Sequence, residues 1–563
     1  MSRPVRQLTF ITLLSSSLLT ASVRADGEQL GPSGAAAVAR GGANAARPTD
    51  LSTMLQNPAG LVDLHGAQGY YSLDTAFNSI CFHPYGYYGW GVYETDLDDP
   101  DVHRSEFGDP TSSAYSKQHL DTVCNSSPIV PLPQLAFGFN LGERVTVALG
   151  FVAPLFVGGA RFGGKDGTIT GADGKAWPTP TRYALITTEA AGFNPTGSIG
   201  VKVTPWLALG ATVQATMASV SSYQVLALRA GTSPVNDIYS RLNGSDLFVP
   251  WLTLSAYVKP TRRIRVAGSF TWSDGFDGHG EMFFTTGYYH SGASGNELIP
   301  YDNDPIKLKR IKVGLPWNAS LAVRYAQPSS DSTDVDDVMK SEIWDVEIDG
   351  TFIANKSAGS NKVEIENDFL LEFRRANSEP QMPLDVKQED LKALNVERNL
   401  LNSVALRVGG SYNIIPGRLA LSLGGFFQSR TTSASYASVA NYGFGRIGIG
   451  LGAVVRLGKV ELAAAYSHVF QEIIDLAPPP HQPRTEATDD KQSGFDQRVY
   501  ENGQLSDKPK TDPAAPSPSA ASGVASGQQT AVFETDNLRA RVVNAGRYVT
   551  SFDVLSLSVA HHF

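Results

Sequence analysis

Residues 446–457 read RIGIGLGAVVRL, and this stretch decides the class of fold. Its apolar side chains recur at every second position, which is the period of a β-strand, because successive side chains of a strand point to opposite faces. One face would carry Ile447, Ile449, Leu451, Ala453, Val455 and Leu457. The other would carry Arg446, Gly448, Gly450, Gly452, Val454 and Arg456. The stretch therefore predicts a strand with one apolar face and one face of mainly small or charged residues. Such a strand fits either a soluble sandwich or a barrel.

Strands of this kind recur along the whole chain. We predict fourteen, near 66–80, 131–141, 144–157, 193–203, 206–221, 248–259, 263–274, 313–325, 341–354, 401–414, 417–429, 443–457, 459–472 and 547–563. Connections after even-numbered strands are mostly tight, with 326–340 the exception, whereas long ones follow odd-numbered strands at 81–130, 158–192, 222–247, 275–312, 355–400 and 473–546. A membrane barrel has short turns in the periplasm and long loops outside. The sequence therefore predicts an all-β fold, a 14-stranded antiparallel transmembrane β-barrel.

The amino terminus and the overall charge indicate the compartment. Residues 1–25 combine a basic start, an apolar run and small residues before a cut after Ala25, as a secretory signal peptide does. Its removal takes away three arginines and shifts the formal net charge from −9 to −12, which argues against a nucleic-acid partner. No later stretch reaches the roughly 20 apolar residues of a membrane helix. We therefore expect a strand-crossing protein in the outer membrane of a Gram-negative bacterium.

The carboxy terminus carries a further barrel signal. Leu555, Leu557, Val559, His561 and Phe563 alternate up to a terminal aromatic residue. The pattern resembles the last strand by which outer-membrane barrels are recognised for assembly, although an aromatic residue is usual at the position of His561. We therefore expect the barrel assembly machinery and outer-membrane lipids as partners, and a monomer in the membrane.

Residues 34–64 read GAAAVARGGANAARPTDLSTMLQNPAGLVDL, a small-residue segment that leads into an Asn-Pro-Ala turn. With PQLAFGFNLGERVTVALGFVAPL (133–155), FNPTGSIGVKVTPWLALGATVQA (193–215), GLPWNASLAVRY (314–325) and GRYVTSFDVLSLSVAHHF (546–563), the segment resembles the FadL family of outer-membrane long-chain fatty acid and hydrocarbon transporters. The resemblance implies a barrel plugged by an amino-terminal hatch, with an external greasy groove, an internal pocket and a lateral opening beside a kinked third strand.

The resemblance also implies the organisation of the chain. A signal peptide (1–25) precedes the hatch (26–64), and the barrel with its long external loops follows (65–563). Within the barrel, 473–546 is rich in Pro, Ser and Ala, and it cannot bury enough apolar surface to fold alone. We interpret it as a flexible external loop.

Local motifs for enzymatic chemistry are weak or missing. Residues 443–448 match a G-x-G-x-x-G spacing, but a β alternation follows where a dinucleotide site needs a helix. No G-x-S-x-G, H-E-x-x-H or paired C-x-x-C motif occurs. Asp96, Asp98, Asp99 and Asp101 could bind calcium, but a solvated acidic loop explains them better. We predict no enzyme, no cofactor and no metal site, with a lipase-like triad assembled in space as the open alternative.

Five arginines recur on the face predicted to line the lumen: Arg265, Arg324, Arg407, Arg446 and Arg456. A guanidinium can bind a fatty acid carboxylate through paired hydrogen bonds. For each arginine the alternative is an internal salt-bridge lattice with acids such as Asp345, Glu347 and Glu461. Arg407 and Arg446 lie on the external halves of their strands, and we take these two as ligand-binding candidates.

A second candidate is apolar and external. It comprises Leu226, Leu228, Met282, Phe283, Phe284, Tyr288 and Tyr289. Exposed greasy surface is costly unless it binds something or packs on other loops. We predict first capture of an amphipathic molecule there, with packing between loops as the alternative.

These features combine into a hypothesis of passive uptake of hydrophobic small molecules, with long-chain fatty acids first and aromatic hydrocarbons as an alternative. Asn57, Pro58 and Ala59 would form the gate of the hatch. A structural or adhesive barrel is the rival, favoured by the long loop 473–546. Cys81 and Cys124 are predicted to pair in an oxidising compartment, with two separate thiols as the alternative.

Overall fold

The computed structural model describes residues 34–85, 120–126, 129–153, 158–171, 174, 176–227, 237–286, 298–300, 305–329, 337–357, 362–366, 373–375, 393–476, 498–501, 504–509 and 545–563. The signal peptide 1–25, the acidic residues 96–101, Leu228, Tyr288, Tyr289 and most of 473–546 lie outside them. Within the described ranges, no helix has both the length and the apolar character needed to span a membrane.

Fourteen strands within these ranges close into one antiparallel barrel. Neighbours along the chain pair with each other, and the first strand pairs with the last over its whole length, from Gln68 opposite His562 to Pro84 opposite Gly546. In chain order they are β1 (Gln68–Pro84), β2 (Ile129–Leu141), β3 (Val145–Val152), β4 (Thr187–Thr204), β5 (Leu207–Ala227), β6 (Asp237–Val258), β7 (Ile264–Ser273), β8 (Asn318–Pro328), β9 (Glu342–Ile353), β10 (Ser403–Ile415), β11 (Leu419–Gln428), β12 (Arg446–Leu457), β13 (Val460–Gln471) and β14 (Gly546–His562). The predicted fold class is confirmed.

The two faces of the barrel wall have opposite chemistry. In β12 the outward Ile447, Ile449 and Leu451 are 54%, 52% and 55% exposed, whereas the inward Arg446 is buried. Serine, threonine, asparagine and glutamine side chains are frequent among the buried inward positions of the other strands. A closed ladder satisfies its backbone groups internally and presents its apolar face to lipid. The wall is therefore that of a transmembrane barrel and not of a sandwich.

Short turns lie at one end of the barrel, as predicted. Gly142 and Gly458 adopt φ angles of 73° and 65° in two of these turns, which a glycine reaches without strain. The longer connection between β8 and β9 contains the helix Val338–Ser341, whose first turn is capped by Asp337 accepting from the Met339 N–H. These turns correspond to the periplasmic end in the predicted orientation.

At the other end the sheet continues beyond the barrel. The outer part of β6 pairs with Phe276–Thr286, and the ladder continues through Ile306–Val313, Lys362–Glu366 and Ala393–Glu397. The prediction that 222–247, 275–312 and 355–400 are loops was therefore partly wrong. Beyond the membrane a strand no longer needs a continuous greasy face, so its alternation fades and it is easily taken for a loop. A bulge between Asp246 and Val249 marks where β6 leaves the barrel wall.

Several strand boundaries differ from the prediction, β4 for example beginning at Thr187 and not at 193, and two of the differences have a local explanation. The predicted strand 144–157 is split, because β3 ends at Val152 and a separate strand, Gly158–Arg161, pairs with the outer part of β4. The predicted strand 313–325 begins instead at Asn318, because Pro316 just before it has no N–H to donate to a ladder.

The remaining elements of the described ranges are short. Within these ranges the α-helices are Ala35–Ala39, Thr53–Gln56 and Val338–Ser341, and the 3-10 helices are Pro58–Asp63 and Ala434–Tyr436. The further short strands are Val123–Cys124, Thr168–Thr170, Ala176–Pro178, Leu298–Pro300, Phe373–Arg375, Ile474–Leu476, Arg498–Glu501 and Gln504–Pro509. The last two form a hairpin within the predicted loop 473–546.

Candidate functional site

The amino-terminal segment, defined as residues 34–64, lies inside the barrel. Nearly all of its residues are buried, and its many small side chains let its backbone approach the wall closely. Gly41, with a φ of 62°, rests directly on the backbone of Gly425. A Cβ atom at Gly424 would overlap the backbone of Arg40, so glycines are required on the wall as well. The segment thus lies where the resemblance predicts a hatch.

Two acidic residues of β9 anchor this segment. Asp345 lies 2.8 Å from Arg40 Nη1, 3.0 Å from Arg47 Nε and 3.2 Å from Arg324 Nη2. Glu347 accepts from Arg40 Nη2 at 3.2 Å. All five side chains, which we call the acid–arginine cluster, are buried. Two of the arginines belong to the segment and one to the wall, so the cluster links the segment to the barrel.

Further anchors bind the two ends of the segment. Asp63 lies 2.5 Å from Lys259 Nζ and 3.3 Å from Arg265 Nη1. At the opposite end, the Gly34 N–H donates to Asp74 Oδ2 at 2.8 Å. The segment is therefore attached to β1, β6, β7 and β9, which surround it.

The predicted gate lies in the middle of these anchors. The Asn57 side-chain amide donates to the Ala45 carbonyl at 2.8 Å, which ties two parts of the segment together. Pro58 begins a 3-10 helix, and the Ala59 N–H donates to Ser255 Oγ of β6 at 2.8 Å. Asn57, Pro58 and Ala59 are all buried, so they form an internal turn of the segment and touch the barrel wall.

Asp50 is a buried acid within the segment. Its carboxylate accepts from the Ser52 N–H at 2.8 Å. Burial raises the pKa of Asp50 above its ordinary value, and the hydrogen bonds from Ser52 oppose this only in part. Because its folded-state pKa is raised, the stability associated with Asp50 is present at low pH and is lost as the pH rises through that pKa. Its ionised form therefore weakens the buried position of the segment.

The five predicted lumen arginines differ in their partners. Arg407 Nη1 donates to Thr351 Oγ1 at 2.7 Å and lies directly opposite the buried Asp349 in the ladder, and the contacts of Arg446 include Gln428 Oε1 at 3.1 and 2.7 Å. The other three are in ion pairs, Arg265 with Asp63, Arg324 with Glu342 and Asp345, and Arg456 with Glu461 and Asp337. The salt-bridge alternative thus accounts for Arg265, Arg324 and Arg456.

The strand between the remaining two arginines carries an aromatic residue on its lumen face. Phe426 of β11 is the direct cross-strand partner of Arg407, and Gln428, two residues on, is the partner of Arg446. Phe426 packs against a buried apolar cluster in the external half of the barrel that includes Ile80, Phe82, Phe162, Tyr442, Phe444, Val469, Tyr548 and Phe552. Guanidinium groups beside apolar surface can bind an amphipathic acid, the head by hydrogen bonds and the tail by burial.

Sequence reasoning missed Phe426, Gln428 and Thr351 in this site. The alternation of β11 does place Phe426 and Gln428 on the lumen face, so their orientation was predictable. Their meeting with arginines of β10 and β12 depends on the register between strands, which the sequence pattern leaves open.

The predicted external capture residues are only partly described. Phe283 is half-buried, and Phe284 is buried among Met282, Leu308, Ile311 and Ile365 of the sheet extension. Packing between external elements, the alternative considered above, therefore accounts for Phe284. Leu226 lies in the outer part of β5, and Leu228, Tyr288 and Tyr289 fall outside the described residues.

Cys81 and Cys124 form a disulfide bond, with their Cα atoms 4.0 Å apart. They are directly opposed in the ladder between β1 and the short strand Val123–Cys124. The bond ties the outer end of β1 to the end of the first external connection.

An outward polar group bears on the rival enzymatic hypothesis. Asp553 Oδ1 accepts from the Tyr466 hydroxyl at 2.5 Å and lies 2.7 Å from His468 Nδ1. A lipase-like triad would add a serine hydroxyl bonded to the histidine. In the described part of the chain, no serine is hydrogen-bonded to His468, and no group of three potential metal ligands occurs there.

No protein-family model and no curated protein sequence matches the chain. The fold does have counterparts among solved structures. A Pseudomonas aeruginosa FadL homologue matches with a TM-score of 0.61 at 14% identity, over 95% of this chain and 100% of its own. The P. putida toluene transporter TodX matches at 0.54 and 11% identity, over 95% and 99%. The Ralstonia pickettii toluene transporter TbuX matches at 0.52 and 12% identity, over 96% and 99%.

A closed barrel with an amino-terminal segment inside it belongs to the class of plugged transmembrane barrels. Within that class the chain has the fold of the FadL family. The resemblance seen in the sequence is confirmed at the level of the fold.

Proposed function

We propose that the protein is an outer-membrane channel that admits hydrophobic small molecules passively, with long-chain fatty acids as its main substrates. The observation that carries the proposal is that Arg407 and Phe426 are direct cross-strand partners on the lumen face and that Phe426 packs against the apolar cluster, inside a barrel whose lumen also contains the anchored amino-terminal segment. Solved proteins of the same fold include a FadL homologue and toluene transporters, which supports a hydrophobic cargo in general. The arginines favour fatty acids in particular, because an aromatic hydrocarbon has no anionic group for a guanidinium to bind.

The route has three stages. The external loops collect the molecule by burying its alkyl chain, at roughly 0.8 kcal/mol per CH₂. The apolar cluster then accepts the chain, and Arg407 and Arg446 bind the carboxylate. Movement of the segment near Asn57, Pro58 and Ala59 finally releases the molecule. Neither covalent chemistry nor an energy source is required, so we propose neither an enzymatic activity nor a cofactor.

A lateral exit is consistent with the interruption of β3. The ladder pairs Val152 with Asn194 and resumes with Gly158 opposite Ala190. Two outward rings, Phe151 and Phe193, stack beside this interruption with centroids 4.7 Å apart. An apolar molecule leaving the lumen there would enter the hydrocarbon of the membrane without crossing water.

We further propose that residues 1–25 direct export and are removed, and that the barrel assembly machinery inserts the chain as a monomer among outer-membrane lipids. Residues 26–64 would then act as the hatch and 65–563 as the barrel. The apolar outward face and the terminal alternation from Leu555 to Phe563 support this placement.

Arg407→Gln is expected to weaken binding of oleate to the purified protein by about tenfold or more, because hydrogen bonds to a charged group contribute roughly 1.5–3 kcal/mol. Binding of toluene should be unchanged, since that ligand does not use the guanidinium. Calorimetric titration of both ligands measures this. Arg161→Gln, at an exposed surface ion pair, is the matched control. Tight toluene binding without oleate binding would favour the aromatic alternative, and an equal loss for both ligands would contradict the assigned role of Arg407.

Replacing Asn57 and Pro58 together by alanine is expected to raise the uptake rate several-fold, because it removes the Asn57–Ala45 hydrogen bond and frees the turn that Pro58 fixes. The mobility shift of the barrel on heating, seen by gel electrophoresis, should stay as in the wild type. Loss of that shift would mean that the turn serves folding only. Unchanged uptake with a folded barrel would place the gate elsewhere.

The structural or adhesive rival predicts that no ligand binds the lumen. Failure of both oleate and toluene to bind in the titration would favour that rival over transport.

A further inference from the structure

The outward face of the barrel carries a groove of about 530 Å³ that spans β9 to β12. Its floor is formed at Gly410 and Gly425, at outward positions where the same strands otherwise carry large apolar side chains. Its rim is entirely hydrocarbon, consisting of Val346, Leu406, Val408, Leu423, Phe427 and Ile449. It lies on the far side of the barrel from the β3 interruption, so it is separate from the lateral route considered above.

The wall beneath this groove is one peptide layer thick. Gly409 and Gly424 are direct cross-strand partners and face inward, next to the outward Gly410 and Gly425. No side chain therefore projects into the lumen from this pair, and on the outer face Gly410 is opposed by Leu423 and Gly425 by Val408 of the rim. On the inner face, a Cβ atom at Gly409 or Gly424 would overlap Arg40 of the amino-terminal segment. The segment and whatever fills the groove thus contact the same short stretch of backbone from opposite sides.

The chemistry of the groove specifies its occupant, given the membrane location on which the proposed function also rests. The floor glycines lie within the β10–β11–β12 ladder, so their backbone groups already have hydrogen-bond partners. The rim offers only hydrocarbon to an occupant. The wall of a second barrel is convex and broad, so it cannot enter a hollow of this size. An acyl chain is narrow and flexible. The acyl chains of the membrane already surround the outward apolar face of a transmembrane barrel.

We propose that the groove binds an acyl chain of a membrane lipid, and that this chain supports the thin wall against which the Arg40–Gly41 turn of the segment rests. The bound chain replaces the side chains that the glycines lack. On the inner side, the adjacent Gly409 and Gly424 are required for the approach of the segment, and the lipid completes the packing on the outer side.

Photo-crosslinking tests the proposal. The full protein is reconstituted in phosphatidylcholine vesicles that contain a small fraction of phosphatidylcholine with a diazirine on one acyl chain, and crosslinked peptides are mapped by mass spectrometry. Labelling is expected to concentrate on 406–408 and 423–427, several-fold above the equally outward stretch 555–559 of β14. Gly425→Leu should reduce this labelling several-fold by filling the groove. Gly268→Leu, at an outward glycine of β7 where an added Cβ atom would meet only the Ser320 carbonyl oxygen at 3.8 Å, should leave the labelling unchanged.

A second variant keeps the test decisive if Gly425→Leu disturbs folding, since a Cβ atom there would lie 3.1 Å from the Gly448 carbonyl. Leu423→Trp fills the groove from its rim and should give the same loss. Even labelling around an inserted barrel, or a groove that stays unlabelled, would overturn the lipid site and leave the transport proposal standing. A barrel that fails to insert into vesicles would overturn both.

Discussion

Replacing Asp345 by asparagine is expected to release the amino-terminal segment from β9 and to make it accessible to protease. Asp345 pairs with Arg40 and Arg47 of the segment and with Arg324 of the wall. An asparagine keeps the shape of the side chain but leaves three buried guanidinium groups with less compensating charge. Removing one partner of a buried ion pair typically costs about 3–5 kcal/mol. Because the barrel ladder does not depend on the segment, we expect this cost to appear as local opening.

Limited trypsin digestion of the folded protein measures that opening directly. Trypsin cleaves after arginine unless a proline follows, so Arg40 is the reporting site, whereas Arg47 precedes Pro48 and is not cut. In the wild type Arg40 is 0% exposed. The variant should be cut after Arg40 at least a hundredfold faster, while the barrel keeps its heat-dependent mobility. Glu189→Gln is the matched control, because it breaks an exposed pair with Arg161 at 3.4 Å, and such pairs contribute only about 0–1 kcal/mol. Equal protection of Arg40 in wild type and Asp345→Asn would refute the anchoring role.

Loss of the Cys81–Cys124 disulfide is expected to lower the free energy of unfolding by roughly 3 to 4 kcal/mol in the entropic model of loop closure. The two cysteines are 43 residues apart in the sequence, so the bond restricts a long loop in the unfolded chain. It also fixes Val123 next to Phe82 in the apolar cluster of the external half of the barrel. The double variant Cys81→Ser, Cys124→Ser should therefore unfold at lower urea concentration than the oxidised wild type.

The reduced wild-type protein is the control for this effect and should unfold like the double serine variant. Thiol labelling of the unreduced, denatured protein should find no reactive cysteine. Two reactive thiols, or identical unfolding curves for the oxidised wild type and the variant, would show that the bond does not form or does not stabilise the barrel.

The strands of the membrane-spanning wall were predictable from the sequence for a simple physical reason. A lipid-facing strand must alternate, and β12 does so from Ile447 to Leu457 without interruption. Outside the membrane that requirement disappears, and the pairing of Phe276–Thr286 with the outer part of β6 was accordingly missed. The end of β3 at Val152 also escaped the pattern, because the sequence stays apolar through 153–157.

The interior was only partly predictable. A run of small residues before the first strand indicated a segment that could pack closely against the barrel wall. Gly41 does so, because it lies against the backbone of Gly425. The roles of the arginines could not be assigned, because Arg40 and Arg47 meet Asp345 across about 300 residues of sequence. Only the closed register of the barrel places Arg324 in an ion-pair lattice and Arg407 beside Phe426.

The central claim is that the barrel carries hydrophobic molecules across the outer membrane. Uptake of radiolabelled oleate and of labelled toluene is measured in a transport-deficient bacterium with and without this protein, after surface labelling has established equal expression in the outer membrane. We predict that the protein raises oleate uptake several-fold and that Arg407→Gln removes most of the gain. The account would be contradicted if the strains with and without the protein took up oleate at equal rates and also took up toluene at equal rates.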